Sequence, residues 1–336
     1  MRVLIDINHP GHVHLFKNLY FELKKRKVFV LVTATHKDVA TLLLQKYDIP
    51  FIDLGTYGKS KISKILQLPI KSLQLSYITW KHKIDCLFGV SFRVAHAGFL
   101  TKRKSFVFDD TEHAKQEILL YKYFATRILT PDCFERDLGK KHIKYNGYHE
   151  LAYLHPDRFK PNLETLKELN LKENDVFFVL RFVSWEASHD IGQSGISIEI
   201  KQKLISMLEK RGRVLISSEG KLSHEFEKYR INICPTKMHD LLYYSSLFIG
   251  EGATMASECA VLGTPCIYVN SLDAGTLKNQ VKYGLLDSLR TDENLISLVQ
   301  IKLNNLTNEK KKCRANSKKM LNRKIDVTKF ILELIP

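Results

Sequence analysis

The chain lacks long hydrophobic runs. Nowhere in its 336 residues does an uninterrupted apolar stretch approach the ~20 residues that cross a bilayer. It also lacks any C-x-x-C pair. Its six cysteines, Cys86, Cys133, Cys234, Cys259, Cys266 and Cys313, are scattered, mostly in apolar runs. That spacing excludes close-set zinc ligand pairs and a small disulfide scaffold. Reduced, buried thiols fit the cytosol. The first apolar run ends at Asp6, which predicts a strand rather than a secretion signal. Neither a Walker A loop nor a G-x-G-x-x-G fingerprint is present. Short-period repeats and low-complexity segments are absent too. The expectation is a cytoplasmic protein, peripheral at most on the inner face of the cytoplasmic membrane.

Negative charge is short in particular places. Against 52 Lys+Arg stand 36 Asp+Glu, a net of +16. Residues 1–100 carry +9 and residues 301–336 carry +7, so the stretch between them is neutral. Such an excess first suggests nucleic acid or an anionic membrane. With no nucleic-acid-reading motif and a neutral centre, no nucleic acid is expected as a partner. Between Asp53 and Asp85 there is no acid at all. There Lys59, Lys61, Lys64, Lys71, Lys81 and Lys83 alternate with Ile, Leu, Tyr77 and Trp80. This tract suits an anionic membrane interface; the alternative is an ordinary amphipathic helix with its lysines in water.

What is present is a repeated alternation of short apolar runs with amphipathic segments. Strands are expected over 3–7, 28–33, 85–89, 105–108 and 127–129, with helices near 12–26 and 37–46. A punctuated stretch with Pro156 and Pro161 follows. A second series then begins: strands over 176–180, 214–217, 247–250 and 266–269, helices over 196–210, 237–244 and 254–261. Alternating β/α units predict parallel, doubly wound sheets, here two Rossmann-like domains facing across a cleft. The domains are read as 1–148, a linker 149–175, and 176–310. Residues 302–335 read as helices.

Four loops at strand ends carry the candidate chemistry. Asn8-His9-Pro10-Gly11-His12-Val13-His14 follows the first strand, where open sheets bind ligands. Its histidines could supply a base near neutral pH; the alternative is turn-forming polar residues around one buried histidine. Phe108-Asp109-Asp110-Thr111-Glu112-His113 sets three acids at a strand end. They could orient a base or hold sugar hydroxyls, or cap a helix. The segment from Arg181 to Gly195 is polar, with Arg181 able to grip a phosphate and Ser184 allowing close approach, or else it is a surface loop. Phe248-Ile249-Gly250-Glu251-Gly252-Ala253-Thr254 passes from strand to helix at once. Gly252, Ala253 and Thr254 would offer N–H groups to a phosphate, and Glu258, one turn on, a carboxylate to a ribose diol. A salt-bridged core helix is the alternative. No metal site is expected.

Together these loops resemble the glycosyltransferase-B superfamily, with MurG and UDP-N-acetylglucosamine 2-epimerase as its reference points. Asp6-x-Asn8-His9-Pro10-Gly11-His12, the Phe108–Ala114 acids, Gly147-Tyr148-His149-Glu150 with Tyr153-Leu154-His155-Pro156, and the Arg181 loop are similar to a prokaryotic domain-of-unknown-function family within it. The resemblance implies the GT-B fold. It also implies a nucleotide sugar, UDP-sugar first, held by Arg181, Ser184, Ser218, Gly252, Ala253, Thr254 and Glu258. Asn8, His14, Asp109 and His113 would meet a glycan or lipid-linked acceptor. His12, His9, Asp110 or Glu112 would act as the base of an inverting, metal-independent, cofactor-free glycosyltransferase. A hydrolysing 2-epimerase or nucleotide-sugar hydrolase is the alternative. The resemblance further implies that residues 311–336 return to the N-terminal domain. That would gather the +9 and the +7 on one lobe.

Overall fold

The computed structural model describes residues 1–36, 39–56, 58, 61–182, 195–218 and 222–335, the side chains of 61–65 apart. They form two compact units, one of Met1–Arg158 with Ile325–Pro336 and one of Phe159–Lys324.

The strands of the first unit are β1 (Arg2–Ile7), β2 (Phe29–Ala34), β3 (Ile52–Asp53), β4 (Cys86–Gly89), β5 (Lys104–Phe108), β6 (Arg127–Pro131) and β7 (His142–Tyr145). Its helices before the last segment of the chain are α1 (Pro10–Lys25), α2 (Ala40–Lys46), α3 (Lys61–Lys81), α4 (Phe92–Thr101) and α5 (Lys115–Lys122). The sheet order is β3-β2-β1-β4-β5-β6-β7, and every pairing is parallel. Strands covered on both faces read as continuous apolar runs, which is why residues 3–5 and 7 are all buried. The order reverses between β1 and β4, so the ligand-accepting crevice of such a sheet opens beyond their carboxyl ends.

Helix α1 starts where its sequence dictates. Pro10 occupies the first turn, where its missing N–H costs nothing. The His9 imidazole caps the helix, its Nδ1 accepting from Gly11 N–H at 3.1 Å. Val13, Phe16, Leu19 and Leu23 then recur at helical spacing and are buried. Beside this start lies a buried network. Asp6, at the end of β1, accepts from Thr33 at 2.8 Å, Ser91 at 3.1 Å and Arg93 Nε at 3.0 Å. The Asp6 and Arg93 side chains are wholly enclosed, so each charge is tolerable only because the other is there.

The second unit contains α6 (Glu164–Lys167), β8 (Phe177–Phe182), α7 (Ile198–Glu209), β9 (Arg213–Ser218), α8 (Met238–Tyr244), β10 (Leu247–Gly250) and α9 (Ala253–Leu262). It continues through β11 (Cys266–Val269), α10 (Gly275–Lys282), β12 (Asp287–Leu289), α11 (Leu295–Leu303) and α12 (Leu306–Leu321). The order β12-β11-β10-β8-β9, again all parallel, turns between β8 and β10. Phe178, Leu180, Ile249 and Ile267 of these strands pack with Leu204 and Leu208 of α7 in one core.

The expected central strands and helices are present within a few residues of the positions read from the sequence. Three strands were not anticipated: β3, β7 and β12. All are short and lie at or next to a sheet edge, where no long buried run announces them. The terminal stretch divides. Residues 325–336, with the last helix Val327–Glu333, belong to the first unit. Helix α12 packs on α9 instead, Ser317 Oγ donating to the Val261 carbonyl at 2.6 Å. Its Lys310, Lys311, Lys312, Lys318 and Lys319 therefore stay with the second unit, and the two basic ends of the chain are not gathered on one unit.

Candidate functional site

In the first unit, three strand ends bring residues together. Asp110 follows β5, and His149 opens a one-turn helix (His149–Ala152) after β7. The His149 Nδ1 lies 3.1 Å from Asp110 Oδ2. The imidazole stacks on Tyr145 and packs against Phe108, and its Nε2 is buried with no hydrogen-bond partner among the described residues. Burial works to raise the Asp110 carboxyl, but the His149 charge and hydrogen bond, Thr111 Oγ1 and the nearby His12 outweigh it and hold it well below the usual carboxylate range. Burial works to lower His149, and the carboxylates around it, Asp110 foremost, raise it above 6.5. A largely enclosed imidazole bonded through Nδ1 to a carboxylate has its tautomer and orientation fixed, leaving Nε2 for proton transfer.

The other expected residues of this unit fall into two groups. His12 stands beside His9, ring centroids 5.6 Å apart, and close enough to Asp110 to act on its charge. The Asn8 Oδ1 at the end of β1 is buried and has no hydrogen-bond partner among the described residues. The rest face inward. Asp109 is buried, accepting from the Tyr121 hydroxyl and from Thr111 N–H at 2.8 Å, and burial pushes its carboxyl up to about 7. It scaffolds the loop that presents Asp110. His14 is buried between the rings of Tyr47 and Tyr153. Glu112 is buried too, accepting from Glu135 N–H at 3.4 Å. His113 is exposed.

In the second unit the turn of strand order lies between Arg181 and Gly250, which are register partners at the ends of β8 and β10. A Cβ on Gly250 would come within 2.7 Å of the Phe248 ring and 2.9 Å of the Arg181 Cβ. Glycine is required there for the two backbones to sit beside the arginine stem. The guanidinium donates to Ser217 Oγ at 2.7 Å, and Ser218 is half-buried at the end of β9. Gly252 is the N-cap of α9, with Ala253 and Thr254 exposed in its first turn. The N–H groups of that turn have no intrahelical acceptor, so they are available to an anion. Ser184 and the rest of 183–194 lie outside the described residues.

Two carboxylates in this unit took unexpected partners. Glu251 is buried, its Oε1 accepting from Ile196 N–H at 2.6 Å with Lys201 Nζ at 3.8 Å. It anchors the chain where it leaves residues 183–194. Glu258 is buried against His239, 2.9 Å from its Nε2. Among groups able to approach a cation, His155, Asp157 and Asp326 cluster in the first unit. Both Asp326 oxygens already serve Arg158 at 2.7 Å and the cap of the last helix.

In the sequence His149 stands at the start of a linker, as part of a motif alone, and neither the Asp6–Arg93 pair nor the anchoring role of Glu251 is evident there. An arginine within the otherwise apolar 92–101 segment was the available signal for the pair.

The family described as "Protein of unknown function (DUF354)" matches residues 1–334. An uncharacterised protein of Methanocaldococcus jannaschii is 26% identical over 280 residues, covering 79% of this chain and 80% of its own length. Among solved structures, a UDP-GlcNAc 2-epimerase of Neisseria meningitidis bound to UDP-GlcNAc is similar with a TM-score of 0.66, 14% identity and 99% of each chain covered. MurG of Acinetobacter baumannii is similar with a TM-score of 0.58 and 13% identity, covering 100% of this chain and 99% of its own. The fold is the GT-B fold of these proteins.

Proposed function

The chain belongs to the DUF354 family, and we propose that it is a nucleotide-sugar enzyme, a metal-independent inverting glycosyltransferase acting on a glycan or lipid-linked acceptor. The observation that carries this reading is the Asp110–His149 pair, an acid–base couple at the strand ends of the first unit whose proton-accepting nitrogen is buried and held in place. One such couple suffices to activate one hydroxyl.

In this reading His149 Nε2 takes the acceptor hydroxyl proton. The oxygen attacks the anomeric carbon, and the bond from that carbon to the diphosphate oxygen breaks. The N–H groups of Gly252, Ala253 and Thr254 and the Arg181 guanidinium take up the diphosphate charge. His12 and Asn8 orient the hydroxyl. UDP is the first nucleotide to test, because relatives of this fold have been crystallised with UDP or UDP-GlcNAc.

Calorimetry with UDP, GDP, TDP and CMP tests the nucleotide half of the proposal. Binding to none of them would end it. Product analysis tests the other half. The second reading, a hydrolysing 2-epimerase or hydrolase, is favoured by the closer fold likeness to the epimerase than to MurG. Turnover of UDP-GlcNAc with no acceptor present would select it.

A further inference from the structure

We propose that the outer face of α3 and α4 is a docking surface for an anionic lipid bilayer. The inference stands on the orientation of α3. Leu66, Ile70, Leu73, Tyr77 and Trp80 recur at spacings of four and three along it, so they form one stripe. All five are between 58 and 71% exposed. The opposite face, which is buried, is built largely of Ser72, Ser76 and Thr79 with Leu75 and Ile78. Ser72 and Ser76 bond the helix's own carbonyls, and Ser72 Oγ also meets His96 Nδ1 of α4 at 2.9 Å. A helix that serves only its own core puts its large apolar side chains inward. This one turns small hydroxyls to its neighbour and its bulkiest apolar groups to solvent.

The stripe does not end with its helix. Leu73, Tyr77 and Trp80 line one shallow concavity with Leu100 of α4 and Lys102. Phe99 of α4 is exposed beside Phe124, ring centroids 5.3 Å apart, which extends the apolar face to the end of α5. A contiguous patch of this kind marks an interaction surface rather than scattered exposed leucines.

Charge decides among occupants. Lys102 lines the concavity and Lys81 Nζ lies 5.9 Å from the Tyr77 ring centroid; with Lys83, Arg103 and Lys104, their neighbours in sequence, they are exposed. Between α3 and the end of α4 the one acid in the sequence is Asp85, which accepts from the backbone N–H of Arg2 at 2.7 Å and lies 4.0 Å from Arg103. A second copy of the chain would bring two such basic rims together with no acid on α3 to answer them. An anionic headgroup layer answers the lysines, while Leu, Tyr and Trp enter the acyl boundary. Among the described residues no helix is long and apolar enough to cross a membrane, so this is contact with the surface. Lys71 takes no part: it is buried, its ammonium bonded to the Leu54 carbonyl. Lys59 and the side chains of Lys61 and Lys64 lie outside the described residues.

The test is co-sedimentation of the full chain with vesicles of phosphatidylcholine, or of an equimolar mixture with phosphatidylglycerol. Binding to the anionic vesicles, weakened by salt, is expected, with little on the neutral ones. Leu73→Ser, Tyr77→Ser and Trp80→Ser together should lower the bound fraction at least ~tenfold while the circular dichroism melt is unchanged, since the side chains removed are exposed. Lys81→Glu, Lys83→Glu and Lys102→Glu together should remove the salt-sensitive part. Should the triple serine variant misfold, brominated acyl chains give a second readout: they should quench the wild type measurably more than Trp80→Phe. Absence of binding to anionic vesicles, equal binding by the serine variant, or equal quenching in Trp80→Phe would overturn the proposal. So would a dimer in sedimentation equilibrium that the serine variant abolishes while vesicles bind neither form.

Discussion

His149 Nδ1 stands 3.1 Å from Asp110 Oδ2, joining the loop after β5 to the turn after β7. Each group shifts the other. The carboxyl is held low and the imidazole is raised, in both cases against the pull of burial. If His149 is the base, activity must rise with pH through a group titrating above the ordinary histidine value. Asp110→Asn should move that limb to lower pH and lower kcat by ~10²–10⁴. His149→Gln should lower kcat similarly and abolish the limb. The pH dependence of kcat, with imidazole NMR, checks both.

The same pair makes a stability prediction with a definite sign. A raised imidazole stabilises fully below its unfolded pKa, and that contribution is lost as pH rises through the folded value. A lowered carboxyl stabilises above its unfolded pKa and loses this as pH falls. The pair therefore contributes most between about pH 4 and 6.5. Urea unfolding across pH should show the difference between wild type and Asp110→Asn largest in that window.

Arg93→Ala should be among the most damaging single changes in the first unit. Both side chains of the Asp6–Arg93 pair are wholly enclosed. Removing the arginine leaves Asp6 buried with only the Thr33 and Ser91 hydroxyls. Breaking a buried pair in this way costs ~3–5 kcal/mol. Asp6→Leu with Arg93→Met should recover much of that loss in denaturant melts, because the site then holds no charge.

Gly250→Ala tests the close approach beside Arg181. The added methyl would meet the Phe248 ring at 2.7 Å and the Arg181 Cβ at 2.9 Å. The Arg181 Cβ cannot retreat without moving β8, and the Phe248 ring is packed in the core, so a cost of ~1–3 kcal/mol is expected. Nucleotide affinity should fall beyond what the stability loss explains, since the strain is delivered to the arginine. Thermal melts and calorimetry separate the two effects.

How far the sequence disclosed this molecule follows the physics of its elements. Central strands such as 86–89 and 247–250 are buried on both faces and announce themselves as apolar runs. The two-residue β3 and three-residue β12 have no such run, and β7, His-Ile-Lys-Tyr, alternates too briefly. The Gly252–Thr254 turn and the Asp110 loop were legible because strand ends in α/β sheets are where ligands bind. The partner of Asp110 was not. Only the β5-β6-β7 order carries His149 beside it, and that order depends on a strand the sequence does not advertise. Lys71 shows the reverse error. Periodicity gave it a helix, but only packing shows that its ammonium faces a carbonyl rather than water.

Glu258 offers the sharpest separation of structure from ligand binding. It is buried with His239 at 2.9 Å, one turn into the helix whose start is proposed to hold the diphosphate. If its whole role is to pack and accept from His239, Glu258→Gln should cost little, because the amide keeps an acceptor oxygen. If the carboxylate also takes the ribose hydroxyls, the same variant should bind UDP ~10–100-fold more weakly at an unchanged melting temperature, as losing a charged hydrogen bond costs ~1.5–3 kcal/mol. Glu258→Ala should lose stability in either case, since it strands His239. A UDP affinity unchanged by Glu258→Gln would assign Glu258 to the fold and leave the ribose to other groups.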